Sequence, residues 1–319
     1  MMARAPFGTR EGAPKTSEAF RGSKACGGAS LEPTPKPLRL ALSELVARLK
    51  RPRPGGETHP FPVLRNFVLD VLAEGRRKNI IHVLFEADVT GLKGRLANHR
   101  SRTGESISVT SYISKCFAET IANDKRMQSY RLGKSQVVIF DDVDLSFVIE
   151  REWQGAALPV FYIVRAADRK TAHEINEELQ AAQKTPLGVK GPMSALELLF
   201  FHFPGFLRKP LWFVVRRNPY RFKNIVGTVG ITSMGMHTSG DAVVVPITPM
   251  TLTLSIGSIE KKLALEGGQV LERDVIHLNL SADHDLIDGA PLMRFVDQFK
   301  KGLLKEAPLT SMASATGGP

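Results

Sequence analysis

Helical and strand-like patterns alternate from about residue 60 onward, and this alternation limits the fold of the chain more than any other feature. Apolar spacing predicts helices over Asn66 to Lys78, Thr110 to Asn123, Lys170 to Gln183 and Ala290 to Lys305. Runs of β-branched and aromatic residues predict strands over Ile80 to Val89, Gln136 to Ile149, Leu158 to Val164, Asn224 to Ser233, Ala242 to Val245, Leu252 to Ile259 and Val275 to Ala282. The mixture is typical of an α+β or α/β domain.

The two ends of the chain lack this periodicity. Residues 1–58 combine many Gly and Pro with an excess of basic side chains, which predicts a disordered basic tail containing one short helix, Leu38 to Leu49. We expect one folded domain over 59–306 and a disordered tail over 307–319. The basic tail lacks the apolar core of a secretory signal, so we expect a cytoplasmic protein, with a mitochondrial or plastid matrix as the alternative.

Composition narrows the class of protein further. With 43% hydrophobic residues in 319, disorder of the whole chain is excluded. Its two cysteines, Cys26 and Cys116, can form neither a disulfide framework nor a structural zinc site, so no metal is expected. The formal net charge is +11, but six of these charges fall before residue 59, and the rest are spread out. We therefore expect no nucleic-acid partner.

The stretch Met193 to Tyr220 stands apart, because it places leucines, phenylalanines and a tryptophan between basic residues and prolines. It forms most of a predicted insertion at 190–222. Its longest uncharged run, Leu198 to Leu207, is too short to span a bilayer. Three interpretations stay open: an interfacial membrane contact, a lid for a long acyl chain, or an apolar cover for the sheet or a subunit.

The segment Val275 to Phe295 carries the chemistry. Alternation places Ile276, Leu278 and Leu280 on one strand face, with His277, Asn279 and Ser281 on the other. His284 then falls just past the strand end, before a turn at Asp288-Gly289 and a helix with Pro291 in its first turn. An imidazole held there can take a proton from a thiol or hydroxyl near neutral pH. By pattern alone, His284 is equally explained as structural and Asp288 as a helix N-cap.

These residues resemble a known family. His284-Asp285-Leu286-Ile287-Asp288-Gly289 matches the H-x-x-x-D-G motif of the chloramphenicol acetyltransferase superfamily. Flanking residues look like the dihydrolipoamide acyltransferase catalytic core of 2-oxo acid dehydrogenase complexes. Further segments resemble that core in the correct order: Asn79 to Thr90, Asp142 to Ser146, Leu158 to Lys170 and Gly227 to Gly235. The resemblance implies an α+β fold, a chloramphenicol acetyltransferase-like two-layer sandwich with a mixed sheet flanked by helices.

The resemblance also implies a site and a reaction. The family's catalytic base corresponds to His284, its oxyanion hydroxyl to Thr232 with Ser233 as the neighbouring alternative, and its loop-ordering carboxylate to Asp288. Ser233, Asp283 and Gly289 would contact substrate. The protein would then be an acyltransferase that acts on acyl-CoA or lipoyl thioesters as substrates, with no bound cofactor. Threonine and serine at a strand end are also explained by structure alone.

Two departures from the family affect these expectations. Asp285 stands where the related cores usually carry arginine, so an anion replaces a cation beside the base. The chain before Arg65 also lacks an Asp-Lys-Ala-type lipoylation hairpin. We therefore expect the acyl donor to be free acyl-CoA, a lipoyl domain on another chain, or an acyl carrier protein in trans. The family further implies a homotrimer, or a higher multiple, with active sites between subunits.

Two other classes of function compete with acyl transfer at this stage. One is a catalytically silent relative that acts as an oligomeric binding or regulatory module, which the residues at 285 and 232 suggest. The other is a membrane-surface or nucleic-acid binding protein that uses its basic residues. Loss of acyl transfer in a His284→Ala variant would distinguish the enzyme from both.

Overall fold

The computed structural model describes residues 65–153, 156–185, 205–233 and 242–304, together with a few isolated positions. Two compact units divide the chain, 1–59 and 60–319. Apart from Ser43, Ala47 and Glu57, the predicted tails lie outside the described residues, as does the part of the predicted insertion over 190–202. Within the predicted helix Leu38 to Leu49, only Ser43 and Ala47 are described, and both are helical.

The second unit alternates helices and strands as the sequence predicts. Its helices are α1 (Arg65–Gly75), α2 (Leu92–Thr103), α3 (Val109–Asn123), α4 (Ala172–Lys184), α5 (Gly205–Arg217), α6 (Pro219–Val226) and α7 (Gly289–Leu304), with one 3-10 turn at Lys125–Gln128. Its strands are β1 (Ile80–Asp88), β2 (Tyr130–Leu132), β3 (Gln136–Val138), β4 (Leu145–Trp153), β5 (Ala156–Val164), β6 (Val229–Ser233), β7 (Leu252–Glu266) and β8 (Gln269–Asp283).

Six strands form one mixed sheet in the order β1-β8-β7-β6-β4-β5. β6 runs parallel to both β4 and β7, whereas the other neighbours are antiparallel. β2 and β3 form a separate antiparallel hairpin. The predicted mixed sheet flanked by helices is confirmed.

Helix α3 is the centre of the larger apolar core. A Ser108 hydroxyl caps its N-terminus by accepting from the Ser111 backbone N–H, and most of its residues are buried. Phe117 packs edge-on against Phe299 of α7, with ring centroids 5.5 Å apart. The apolar face of β8 contacts the same core, since Leu278 and Leu280 are fully buried. This core fixes the end of β8 against the start of α7, where His284 lies.

A second apolar cluster lies on the opposite side of the sheet. Val148 and Phe161, which pair across β4 and β5, point away from the larger core. Phe161 contacts Phe67 of α1 edge-on at 5.5 Å, and Phe67 in turn contacts Trp212 of α5. Helices α1, α5 and α6 thus cover part of this second face.

Three strand predictions are wrong in detail. The apolar run Gln136 to Ile149 is divided between β3 of the hairpin and β4 of the sheet, because acidic residues interrupt it from 141 to 144. Residues 224–226 end α6 rather than begin β6. Asn218 caps that helix, and Gly227, with φ +81°, ends it. Residues 242–245 have no strand partner and form a covering segment instead.

That covering segment passes close to the sheet at Gly257. A Cβ atom at this position would lie 2.6 Å from the Ala242 carbonyl oxygen, so only glycine permits the approach. The β7–β8 register also shifts here, between Ile256 and Ile259. Beyond the shift, β7 and β8 continue past the predicted ends as a hairpin. Within the described residues, no helix is long and apolar enough to cross a membrane.

Candidate active site

His284 is held by its backbone at the junction of β8 and α7. Its N–H donates to the Asn79 carbonyl oxygen at 2.7 Å, which ties the loop to the residue before β1. The turn that follows β8 is closed by the Asp283 carbonyl oxygen, which accepts hydrogen bonds from the N–H groups of Leu286 and Ile287 at 3.1 and 3.0 Å. The predicted turn and following helix are confirmed, because α7 begins at Gly289.

The His284 side chain faces solvent while its backbone is fixed. The side chain is 47% exposed, and its Nδ1 lies 3.7 Å from Asp288 Oδ1. That separation exceeds a hydrogen bond, so Asp288 acts on the imidazole through charge at short range. Asp288 itself is mostly exposed, and its carbonyl accepts from Leu292 in the first turn of α7. Within the described residues, no hydrogen bond or ion pair engages Nε2 at the other edge of the imidazole, where a substrate proton could be accepted.

Two carboxylates beside His284 are hydrogen-bonded within the protein, one buried and one exposed. Asp283 is only 5% exposed, and its Oδ2 lies 2.6 Å from Lys78 Nζ. Its other oxygen, Oδ1, accepts from the Asp285 N–H at 3.2 Å. Asp285 accepts from the Asn79 amide at 2.9 Å, so the residue in the usual arginine position is hydrogen-bonded to the β1 side of the loop. Lys78 and Asn79 were not predicted as site residues, because their role depends on a partner some 200 positions away.

Thr232 and Ser233 point to opposite faces of β6. Ser233 contacts the first turn of α3, where its hydroxyl and that of Thr110 lie 3.1 Å apart. Thr232 instead lines an apolar cavity of about 180 Å³ on the second face of the sheet. The lining comes from α1, β4, β5, β6, residues 246–250 and the start of β7, and includes Val71, Leu72, Val148, Phe161 and Met250. No described residue of the predicted insertion lines it.

A row of polar side chains crosses the sheet beside Thr232. Thr232 is in register with Ser255 of β7, and Ser255 with Asn279 of β8. Both Ser255 and Asn279 are buried, and the Ser255 hydroxyl and Asn279 Oδ1 have no hydrogen-bond partner within the described part of the chain. Unpaired buried polar atoms are rare and mark places where a water or ligand is expected. Strand alternation predicts the face of Asn279 but not its burial.

The register also sets the distance between His284 and Thr232. Asp283 lies four positions beyond Asn279, which is about 14 Å along the strand, and two strands, about 10 Å, to the side of β6. Ideal strand geometry therefore gives about 17 Å between the Cα atoms of Thr232 and Asp283, and His284 lies further out. The two side chains of one chain are too far apart to contact one reacting carbonyl.

Other kinds of site receive no support from the described residues. No group of three or more His, Cys, Asp or Glu side chains converges there as a metal site would require. Gly289, predicted as a substrate contact, begins α7 with open space where a Cβ atom would be.

Solved structures share this fold. The fold is that of dihydrolipoamide acetyltransferase catalytic cores. It matches a probable dihydrolipoamide acetyltransferase from Listeria monocytogenes 4b F2365, with a TM-score of 0.58, 18% identity, and coverage of 79% of this chain and 95% of that one. It also matches the cubic core of the pyruvate dehydrogenase multienzyme complex, with a TM-score of 0.59, 14% identity, and coverage of 88% and 99%.

Sequence comparison finds the same family over part of the chain. Residues 219–312 match the family model of the 2-oxoacid dehydrogenases acyltransferase catalytic domain, a segment that contains Thr232 and His284. The chain is 24% identical over 195 residues to the dihydrolipoyllysine-residue acetyltransferase component of the pyruvate dehydrogenase complex of Rickettsia prowazekii (strain Madrid E). That match covers 61% of this chain but only 40% of the curated relative. The resemblance inferred from sequence is confirmed.

Proposed function

We propose that this protein is an acyltransferase that moves an acyl group from a CoA, lipoyl or carrier-protein thioester to a thiol, hydroxyl or amine acceptor. His284 takes the proton of the acceptor as its sulfur, oxygen or nitrogen attacks the thioester carbonyl carbon. Thr232 donates a hydrogen bond to the oxyanion of the tetrahedral intermediate. Collapse breaks the carbon–sulfur bond, and the leaving thiolate receives the proton from His284.

The observation that carries the proposal is the position of each group. His284 has a fixed backbone and a half-exposed imidazole, whereas Thr232 lines an apolar cavity on the sheet. Because about 17 Å along one sheet separates the Cα atoms of Thr232 and Asp283, and His284 follows Asp283, the site is complete only when one chain supplies the base and a second supplies the hydroxyl. This supports a homotrimer or a higher multiple with sites between subunits.

Asp288 has a positioning role in this mechanism. A carboxylate near Nδ1 favours the tautomer that carries its proton there, which leaves the Nε2 lone pair for the acceptor proton. It also stabilises the imidazolium formed during transfer. Asp283 and Asp285 act indirectly. Their hydrogen bonds to Lys78 and Asn79 hold the loop that carries the His284 imidazole.

The cavity beside Thr232 supports a short aliphatic acyl group. Its volume, about 180 Å³, is below that of pockets that bury a drug-sized ligand, so a coenzyme does not fit inside it. The acyl chain would enter the cavity, while the CoA or lipoyl portion remains outside. The long-chain lid considered for 193–220 receives no support, because none of its described residues lines this cavity.

The test is release of CoA from a panel of short to long acyl-CoA thioesters, with dihydrolipoamide as acceptor. The native chain is expected to react, and His284→Ala is expected to lower the rate 10²–10⁴-fold. The matched control is His59→Ala, since His59 lies in the other compact unit with its side chain 80% exposed.

Each outcome decides between functions. Loss of rate in the His284 variant, with native rate in the His59 control, supports the acyltransferase. Equal rates in both variants would contradict the role of His284. Absence of turnover with every CoA, lipoyl-domain and carrier-protein donor would instead favour the catalytically silent binding module.

A further inference from the structure

A basic depression lies between the β2–β3 hairpin and the end of α5, outside the candidate active site. Its volume is about 670 Å³, and four of the eight residues that line it are cationic: Arg131, Lys134, Arg216 and Arg217. No carboxylate is among the lining residues. Such a concentration of like charge costs free energy in an isolated protein, and an anion bound there would remove the repulsion.

The cations of this region are unevenly neutralised. Arg208, on the inner side of α5, forms a buried ion pair with Asp70 at 2.8 Å. Arg216 lies 3.7 Å from Glu74. Within the described part of the chain, no ion pair involves Lys134 or Arg217. Helices α5 and α6 contain no acidic residue, so the outward field of this surface is positive.

The elements that line the depression also expose large apolar side chains. On α5, Phe206 is 69% exposed, and Leu207, Phe213 and Val214 are exposed as well. On and just after β3, Val137 and Ile139 are exposed. These side chains are not the inner face of the helix, because Trp212 and Val215 already bury that face in the second apolar cluster.

Phe213 joins the apolar and basic parts of this surface. The Arg217 guanidinium lies 4.0 Å from the centroid of its ring, and that of Arg216 lies 4.9 Å away. Both guanidinium groups therefore lie against the Phe213 ring, so positive charge sits directly beside an exposed apolar side chain. The combination of exposed aromatic and aliphatic residues with unpaired cations is the signature of an interfacial helix.

We propose that α5 and the β2–β3 hairpin form a docking surface for membranes that contain anionic phospholipids. Lipid phosphates bind in the basic depression, and the exposed side chains of α5 enter the boundary between headgroups and acyl chains. Charge complementarity selects anionic lipid, and the exposed Phe, Leu and Val side chains distinguish a bilayer from a soluble phosphate. This binding needs neither His284 nor Thr232, so it is independent of the proposed acyl transfer.

The experiment is flotation of the full-length protein with vesicles of phosphatidylcholine alone and of phosphatidylcholine mixed with phosphatidylglycerol. The native protein is expected to bind only the anionic vesicles, and less well as salt rises. Lys134→Gln with Arg217→Gln is expected to lower affinity about 25-fold, since each basic residue near an anionic surface contributes about fivefold. Phe206→Ser is expected to weaken binding with no change in net charge.

Matched controls separate this surface from general positive charge. Lys93→Gln with Arg102→Gln removes the same charge from α2, where both side chains are exposed, and is expected to preserve vesicle binding. Far-ultraviolet circular dichroism and acyl transfer should be native in every variant. Equal binding by the Lys134/Arg217 and control variants would overturn the proposal.

Two further results would overturn it in favour of another ligand. Loss of vesicle binding with added inorganic phosphate, but not with sodium chloride of equal ionic strength, together with native binding by Phe206→Ser, would indicate a soluble phosphate site. Binding to duplex DNA that depends on Lys134 and Arg217, without vesicle binding, would indicate a nucleic-acid site.

Discussion

Lys78 Nζ lies 2.6 Å from Asp283 Oδ2. This ion pair links the segment just before β1 to the last residue of β8. Lys78 also lies 5.5 Å from the ring centroid of Tyr130, whose pKa is raised by burial and by the nearby Asp283 charge. Because Asp283 immediately precedes His284, this ion pair sets where the candidate base is presented.

Removal of the Lys78 charge should destabilise the fold and the site together. Lys78→Met leaves the buried Asp283 carboxylate without its cation, and we expect the free energy of unfolding to fall by about 3 kcal/mol. Lys93→Met, at an exposed position of α2, should change it by less than about 0.5 kcal/mol. Urea unfolding followed by circular dichroism measures both, and equal stability of the two variants would show that the pair contributes nothing.

Thr232 and Ser233 should differ in their effect on catalysis. Thr232→Val keeps the shape but removes the hydroxyl that lines the cavity, so kcat should fall about 10²–10³-fold with little change in KM. Thr232→Ser should keep most of the activity. Ser233→Ala removes only the contact to Thr110 and should remain close to native. The opposite ranking in steady-state kinetics would assign the oxyanion donor to Ser233.

A site shared between subunits predicts complementation. His284→Ala and Thr232→Val should each be nearly inactive alone, because every site lacks one group. If a symmetric oligomer reassembles from an equal mixture, about a quarter of the sites combine native His284 with native Thr232. We expect recovery of about that fraction of activity after dissociation and reassembly. A mixture as inactive as its components would place both groups of each site on one chain.

Val148 should control the length of the acyl group. Its side chain lines the cavity beside Thr232 and is 41% exposed, so a larger residue can be introduced without disrupting the core. Val148→Phe should shift the preference toward shorter acyl-CoA substrates, and Val148→Ala toward longer ones. Val137→Phe, on the separate hairpin, should preserve the native profile. A profile unchanged by both Val148 variants would exclude this cavity as the acyl pocket.

Cys116 should be unreactive in the folded protein. Burial raises the pKa of its thiol to about 12, so little thiolate exists at pH 8. In a Cys26→Ser background, iodoacetamide should modify Cys116 only after denaturation. Because the pKa is higher in the folded state, the stability associated with the neutral thiol is complete below pH 9 and is lost as pH rises toward 12. Rapid alkylation of the folded protein would contradict this burial.

The sequence alone determined the elements that depend on local pattern. Period-two alternation identified β8, and the turn residues at 288 and 289 identified where α7 begins, so His284 could be placed between them. Helix α3 was predicted from apolar spacing over Thr110 to Asn123, and the structure has it over Val109–Asn123. The resemblance to a catalytic core then predicted Thr232 as the oxyanion donor. Because side chains alternate along a strand, Thr232 and Ser233 point to opposite faces.

Tertiary structure decided what depends on contacts between distant residues. Ile225 and Val226 are β-branched and predict strand, but the caps at Asn218 and Gly227 and the packing of Phe222 make this segment helical. The basic depression also depends on tertiary contacts. Arg131 and Lys134 lie near Arg216 and Arg217 only because the hairpin packs beside α5. Local sequence pattern determines the periodicity of each element. Strand register, burial and the clustering of charges are decided only when distant segments pack together in the folded chain.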